Sequence, residues 1–163
     1  MKRIDGHAGH PTGPDTSRIA PPARVVVRAE VTSDVIDPAA HAREVARSAA
    51  GAVVTFSGDV RDHDGGRAVL AIEYVAHPSA ARVLAQVAAD VAARTDVDAL
   101  AVSHRLGALT VGDCALAVAV SAAHRAEAFA AAALLVDEVK RLLPVWKRQV
   151  FADGTDEWVD CPT

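Results

Sequence analysis

The sequence predicts an α+β fold, with mixed or antiparallel sheets and three main helices packed on them. Strand-like segments come in pairs separated by single amphipathic helices, in the order β-α-β-β-α-β-β-α-β, which argues against a doubly wound parallel sheet. No GxGxxG or GxxxxGK[ST] loop is present, which removes the common nucleotide-binding folds. The 163 residues are 51% hydrophobic but only 4% aromatic, so one domain with a core of small alanine and valine side chains is expected.

Residues 1–23 are rich in Gly, Pro, His and Asp, with little apolar pattern. They read as a disordered tail, in which His7 and His10 are solvated rather than metal-bound. The catalytic or binding domain is expected over residues 24–163. VVVRAEVT (residues 25–32) is the first strand. Asp37 caps a helix with Pro38 at its first position, running to about Ala49. AVVTFSGDVR (52–61) and AVLAIEYVA (68–76) read as two strands of one hairpin around the polar glycine turn DHDGGR. Pro78 opens a helix to about Arg94, followed by a strand over 99–107 and a turn over 109–113. ALAVAVS (115–121) is almost unbroken apolar sequence, hence a central strand covered on both faces. A third helix runs from about His124 to Leu143, VWKRQVF (145–151) is a last strand, and ADGTDEW is a turn.

The net charge of −4 gives no reason to expect nucleic acid or an anionic membrane as partner. Cys114 and Cys161 form no CxxC pair, no apolar run is long enough to span a bilayer, and no signal-peptide core is visible. A cytoplasmic location follows by elimination. The histidines show no HxxxH or HExxH spacing, so neither metal nor cofactor is expected. No GxSxG elbow exists, and Cys114 reads as a packing residue.

VKRLLPVWKR (139–148) is the most informative segment. Lys140 and Lys147 flank the helix stop at Pro144. At 100° per residue, Lys140 shares a stripe with Phe129, Ala132, Ala133, Val136 and Leu143, which would place it on the core-facing side. Partial burial there would lower its pKa and suit it to proton transfer or nucleophilic attack. The bland reading is a last-turn lysine at the helix C-terminus. His124 and Arg125 sit at the start of the third helix, where free N–H groups favour a phosphate. Arg61 ends a strand beside a glycine turn and can clamp an anion, or can pair with Asp59 or Asp62. Strand alternation places Lys147 and Gln149 on one face and Trp146 and Arg148 on the other. Two lysines and two arginines converging without a balancing carboxylate cluster would suit a phosphorylated substrate.

Five segments in order, GAVVTFSGDVRDHDGG (51–66), IEY (72–74), HRLGALTVGD (104–113), SAAHRAEAF (121–129) and DEVKRLLPVWKRQ with the later DGTDEW, resemble the MoaE family of large, catalytic subunits of molybdopterin synthase. The resemblance covers roughly residues 24–159. It implies a hammerhead-like α/β core and sulfur transfer to cyclic pyranopterin monophosphate, or precursor Z, giving the dithiolene of molybdopterin. It implies that the sulfur arrives as a thiocarboxylate on the C-terminal Gly-Gly tail of a small ubiquitin-like partner, within a homodimer that becomes a heterotetramer with that carrier. By the same resemblance Lys140 and Lys147 match the catalytic lysines. Asp59, Val60 and Arg61 match a substrate-binding strand end, His124 and Arg125 a phosphate-side pair, Arg148 and Gln149 the segment after the second lysine, and Phe56 a pocket wall. The chain departs from the family where an acid often stands in place of Gln149, and at Val75 and His77. A non-catalytic anion-binding or regulatory α+β module is the alternative.

Overall fold

The computed structural model describes residues 17–161. Along them run β1 (Val25–Thr32), α1 (Pro38–Val45), β2 (Ala52–Asp59), β3 (His63–Asp64), β4 (Arg67–Ala76), α2 (Ala80–Arg94), β5 (Val97–Arg105), β6 (Gly107–Thr110), β7 (Cys114–Ala122), α3 (Arg125–Leu142), β8 (Val145–Phe151) and β9 (Asp156–Cys161). The α+β architecture with three helices is the one expected. One sheet has the order β1-β5-β7-β2, with β1 parallel to β5 and the other pairs antiparallel. The second sheet is built on β4, which pairs β8 on one side and β6 on the other; β9 extends it beyond β8, and β3 pairs the start of β4.

Composition decides how closely the layers approach. On one face of the first sheet, Leu100, Val102, Leu116, Val118 and Val120 pack against Leu84, Val87, Val91, Ala131 and Leu135 of α2 and α3. On the other face Ala99, Ala101 and Ala119 leave room for Val45 of α1. Burying each Val or Leu of these layers contributes about 1.5–3 kcal/mol. Val97 and residues 99–102 of β5 and Ala115–Ala122 of β7 are buried, as an interior strand covered on both sides requires.

Local chemistry fixes the element ends. The Asp37 carboxylate accepts from the Ala39 N–H at 3.0 Å and Pro38 occupies the first helical position, as expected. α1 stops at Val45 rather than Ala49, because Ala46 turns extended and the Arg47 guanidinium satisfies the carbonyls of Glu44 and Ala46. The hairpin expected between residues 52–61 and 68–76 does not form. β2 pairs with β7 in the first sheet, and only the two-residue β3 pairs with β4. Alternation along a strand tells which face is buried but not which strand is the neighbour. The turns expected at 109–113 and over ADGTDEW are present but tighter, at residues 111–112 and 152–154, and the residues flanking them pair as β6 and β9, short strands with little apolar signal.

Of the expected tail, residues 1–16, including His7 and His10, lie outside the described residues. The remainder is tied to the fold: Arg18 is paired with the buried Asp98, whose Oδ1 also accepts from the Ala23 N–H at 3.5 Å. No helix among the described residues is long and apolar enough to cross a membrane.

Candidate active site

A cavity of about 490 Å³ opens where the two sheets meet the C-terminal end of α3. The end of β2 and the start of β7 supply Gly58, Asp59, Ala115 and Leu116. The inner face of the second sheet supplies Ile72, Tyr74, Lys147 and Gln149, and α3 supplies Val139 and Lys140. Arg61, His63 and Asp64 close one side.

The two lysines reach this cavity through a helix-to-strand corner. Leu143 caps α3 with its N–H on the Val139 carbonyl at 2.9 Å, and Pro144 ends the helical course. β8 starts at once, and its alternation turns Val145, Lys147 and Gln149 toward the cavity. Seven residues of sequence thus place two ammonium groups on one pocket. No carboxylate among the described residues pairs with either.

Lys140 itself departs from expectation. The buried face of α3 consists of Ala128, Ala131, Ala132, Leu135 and Val139, whereas Phe129 is 63% exposed and Ala133 is exposed. The stripe is rotated by about one residue from the predicted one, and Lys140 lies at its rim, exposed, with the cavity beside it. In a helix where alanines fall on every side, periodicity alone defines the apolar face poorly.

Asp64 and His104, neither expected at the site, give the cavity its electrostatics. Asp64 Oδ2 accepts from the Gln149 amide at 2.9 Å, and its Oδ1 accepts from Arg61 at 3.0 Å. The Gln149 hydrogen bond holds the Asp64 carboxyl below the usual range. Desolvation opposes this, and the charges of Lys147 and Arg61 support it. The partner of Arg61 is therefore Asp64, not Asp59 or Asp62. The cationic set is also balanced in part, since Asp59 and Asp64 both line the cavity.

His104 is 9% exposed, with its ring edge-on to Tyr74 at 4.9 Å. Its Nδ1–H donates to the Arg105 carbonyl at 2.9 Å, which leaves Nε2 as the lone-pair nitrogen. Burial pushes its pKa down to about 4, and the nearby Lys140 charge adds to the effect, so the ring is neutral near pH 7. Residue patterning in β5 offered no signal for His104, and only its place at the head of the HRLGALTVGD segment marked it. Asp64 stands directly before the Gly-Gly of a hairpin turn, a position that could have drawn notice.

Several residues singled out from the sequence lie away from this cavity. Phe56 packs partly buried against the main core, beneath Gly58. Val60 is buried in the smaller core cluster, and its backbone pairs with Gly112 and Asp113. Arg148 points to the opposite face of β8, where Asp156 at 2.7 Å and Glu73 at 3.5 Å hold it. His124 and Arg125 follow the other end of β7, on the order of 25 Å along the strand. His124 lines a separate cavity of about 410 Å³ with Arg18 and Gly51. Cys114 is part-buried, its thiol pushed up by that burial, which suits packing and not nucleophilic attack. Among the described residues no group of three His, Cys, Asp or Glu could hold a metal ion.

The model of the family described as MoaE protein matches residues 31–142. The chain belongs to the MoaE family. It is 33% identical over 133 residues to the molybdopterin synthase catalytic subunit of Bacillus subtilis (strain 168), covering 81% of this chain and 84% of that one. It is 43% identical over 114 residues to the corresponding subunit of Nostoc sp., covering 69% of each. The crystal structure of molybdopterin synthase from Staphylococcus aureus superposes with a TM-score of 0.72 at 30% identity, over 80% of this chain and 96% of that one. A complex of subunits 1 and 2 of the molybdopterin-converting factor from Helicobacter pylori shares the fold, with a TM-score of 0.62 at 16% identity, over 80% of this chain and 88% of that one. The family match spans the whole cavity wall from β2 through Lys140; Lys147 and Gln149 lie just beyond it.

Proposed function

We propose that this MoaE-family chain is the catalytic subunit of a molybdopterin synthase, and that the Lys140–Lys147 cavity is where sulfur passes to cyclic pyranopterin monophosphate. The observation that carries this reading is the convergence of two carboxylate-free lysines and Arg61 on one cavity. The donor is the thiocarboxylate at the end of a Gly-Gly tail on a small ubiquitin-like partner. Glycines suit a tail that must pass close between side chains. An ammonium beside the thiocarboxylate offsets its charge and that of the phosphate, and a lysine amine moves the proton that sulfur addition requires.

His124 and Arg125 enter the reading only through a second copy. Within one chain they cannot reach this cavity, so in the proposed homodimer they approach the neighbouring subunit's substrate from outside. The carrier subunits then complete a heterotetramer.

The test is incubation of the purified chain with thiocarboxylated partner and precursor Z, with molybdopterin as the product sought. A partner lacking its last glycine should dock but transfer no sulfur, since one residue moves the reactive carbon by up to about 3.5 Å. Normal product with the shortened tail would overturn the threaded-tail reading and favour a simple anion-binding module.

A further inference from the structure

We propose that Asp64 is a specificity-determining residue of this site, its carboxylate acting as a resident counter-anion that organises Arg61 and Gln149 and sets the charge met by an incoming anion. The proposal rests on the reading of the cavity as an anion site and names the residue that tunes it.

The backbone places Asp64 firmly. It pairs with Arg67 across a two-residue loop whose glycines, Gly65 and Gly66, have φ of +55° and +75°. Positive φ at both positions is the type I′ geometry that matches strand twist, and glycine adopts it without strain. The hairpin therefore presents Asp64 to the cavity from a fixed register.

The side chain then bridges two unlike groups. Oδ1 holds Arg61, whose side chain is 64% exposed, and Oδ2 holds the amide of Gln149, which is 1% exposed. A buried amide donor and a solvent-facing cation are the partners an incoming phosphate or carboxylate would use. Asp64 occupies that role itself. The charges along the wall are Arg61, Lys140 and Lys147 against Asp59 and Asp64, with His104 neutral. Removing Asp64 would leave three cations facing one carboxylate, and a ligand anion would no longer compete with an internal one.

The acid–amide geometry supplies a test in which the charge changes ends. Asp64→Asn removes the carboxylate, Gln149→Glu adds a second one against the first, and the double variant Asp64→Asn/Gln149→Glu keeps one carboxylate and one amide in the same hydrogen bond. Calorimetric titration of the full chain with inorganic phosphate at low salt reads the charge, and thermal melting reads the pairing. Asp64→Asn should bind phosphate about tenfold more tightly than wild type, as expected for loss of one like charge in a partly shielded site. Gln149→Glu should melt several degrees lower, and adding Asp64→Asn should recover most of that loss, a rescue that two independent sites would not give. Unchanged or weaker phosphate binding by Asp64→Asn, absence of binding in both proteins, or additive melting losses in the double variant would each overturn the proposal. None of these readouts needs the partner or precursor Z, so failure of the sulfur-transfer reading is recorded separately by the product assay.

Discussion

The two faces of β8 treat adjacent cations in opposite ways. On the outer face Arg148 is neutralised twice, by Asp156 on β9 and by Glu73 directly across on β4. On the inner face Lys147, one residue earlier, has no carboxylate partner among the described residues, and neither has Lys140 across the cavity. Among the described residues the one acid hydrogen-bonded to this face of the strand, Asp64, is spent on Gln149 and Arg61. An arginine on an exposed sheet costs nothing to leave paired. Two lysines lining one cavity with only partial compensation from carboxylates suit a site where an arriving anion supplies the missing charge. The contrast separates a surface that has settled its electrostatics from one that has left them to a ligand.

The sharpest way to break this contrast is to remove the inner cations. Lys140→Ala and Lys147→Ala should each lower the rate of sulfur transfer by about 10²–10⁴, the range for loss of a proton-transferring group. Lys140→Arg should fail as well, since guanidinium does not give up its proton. The fold should survive Lys140→Ala, because alanine is a good helix former at a helix end. Wild-type turnover in either alanine variant would remove the inner face from the chemistry.

A second test concerns the neutral wall of the cavity. The folded-state pKa of His104, about 4, lies below its ordinary value near 6.5. As pH falls through that interval the unfolded chain takes up a proton that the folded chain refuses. Stability is therefore fully present above about pH 6.5 and declines toward pH 4, by on the order of 3 kcal/mol for this group. Urea titrations at pH 7, 5.5 and 4.5 should show the decline, and His104→Asn should flatten it. An equal slope in the variant would assign the acid sensitivity to other groups.

Smaller effects follow at the rim and on the outer face. Arg61→Ala should weaken phosphate binding by about 1.5–3 kcal/mol, the value of a charge-assisted hydrogen bond, while binding of the carrier protein changes little. Calorimetry with unchanged phosphate affinity would place the anion elsewhere. Arg148→Ala should cost at most about 1 kcal/mol in stability, with the loss shrinking at high salt, and should leave turnover close to wild type. A large drop in turnover would show that the outer face also serves the reaction.

What could be read from the sequence depended on whether the signal was local. Asp37-Pro38, Pro144 and the apolar run through β7 announce themselves within a few residues, and the helix start, helix stop and central strand they mark fall where expected. The pair Lys140 and Lys147 was legible for the same reason, since one helix stop and one strand alternation bring them together. Strand partners were not legible. β2 looks like half of a hairpin with β4, yet its neighbour is β7, some sixty residues on, and only long-range packing decides this. The apolar face of α3 was misplaced because alanine carries too little hydrophobic contrast to fix a direction. Asp64 and His104 come to the cavity from a turn and from a distant strand, and no spacing in the chain links either to the lysines.

The corner at Pro144 has a consequence for how this protein can change. The Val145 N–H reaches back to the Leu143 carbonyl at 2.9 Å, so the connection between α3 and β8 holds no slack. Which basic residue enters the cavity is then a matter of odd and even. Adding or deleting one residue between Pro144 and Trp146 would reverse the strand's alternation, delivering a permanently charged guanidinium to the interior and sending the lysine out among Glu73 and Asp156. The turn after Phe151 carries no such parity. At Pro144 even a single codon gained or lost would rewrite the chemistry.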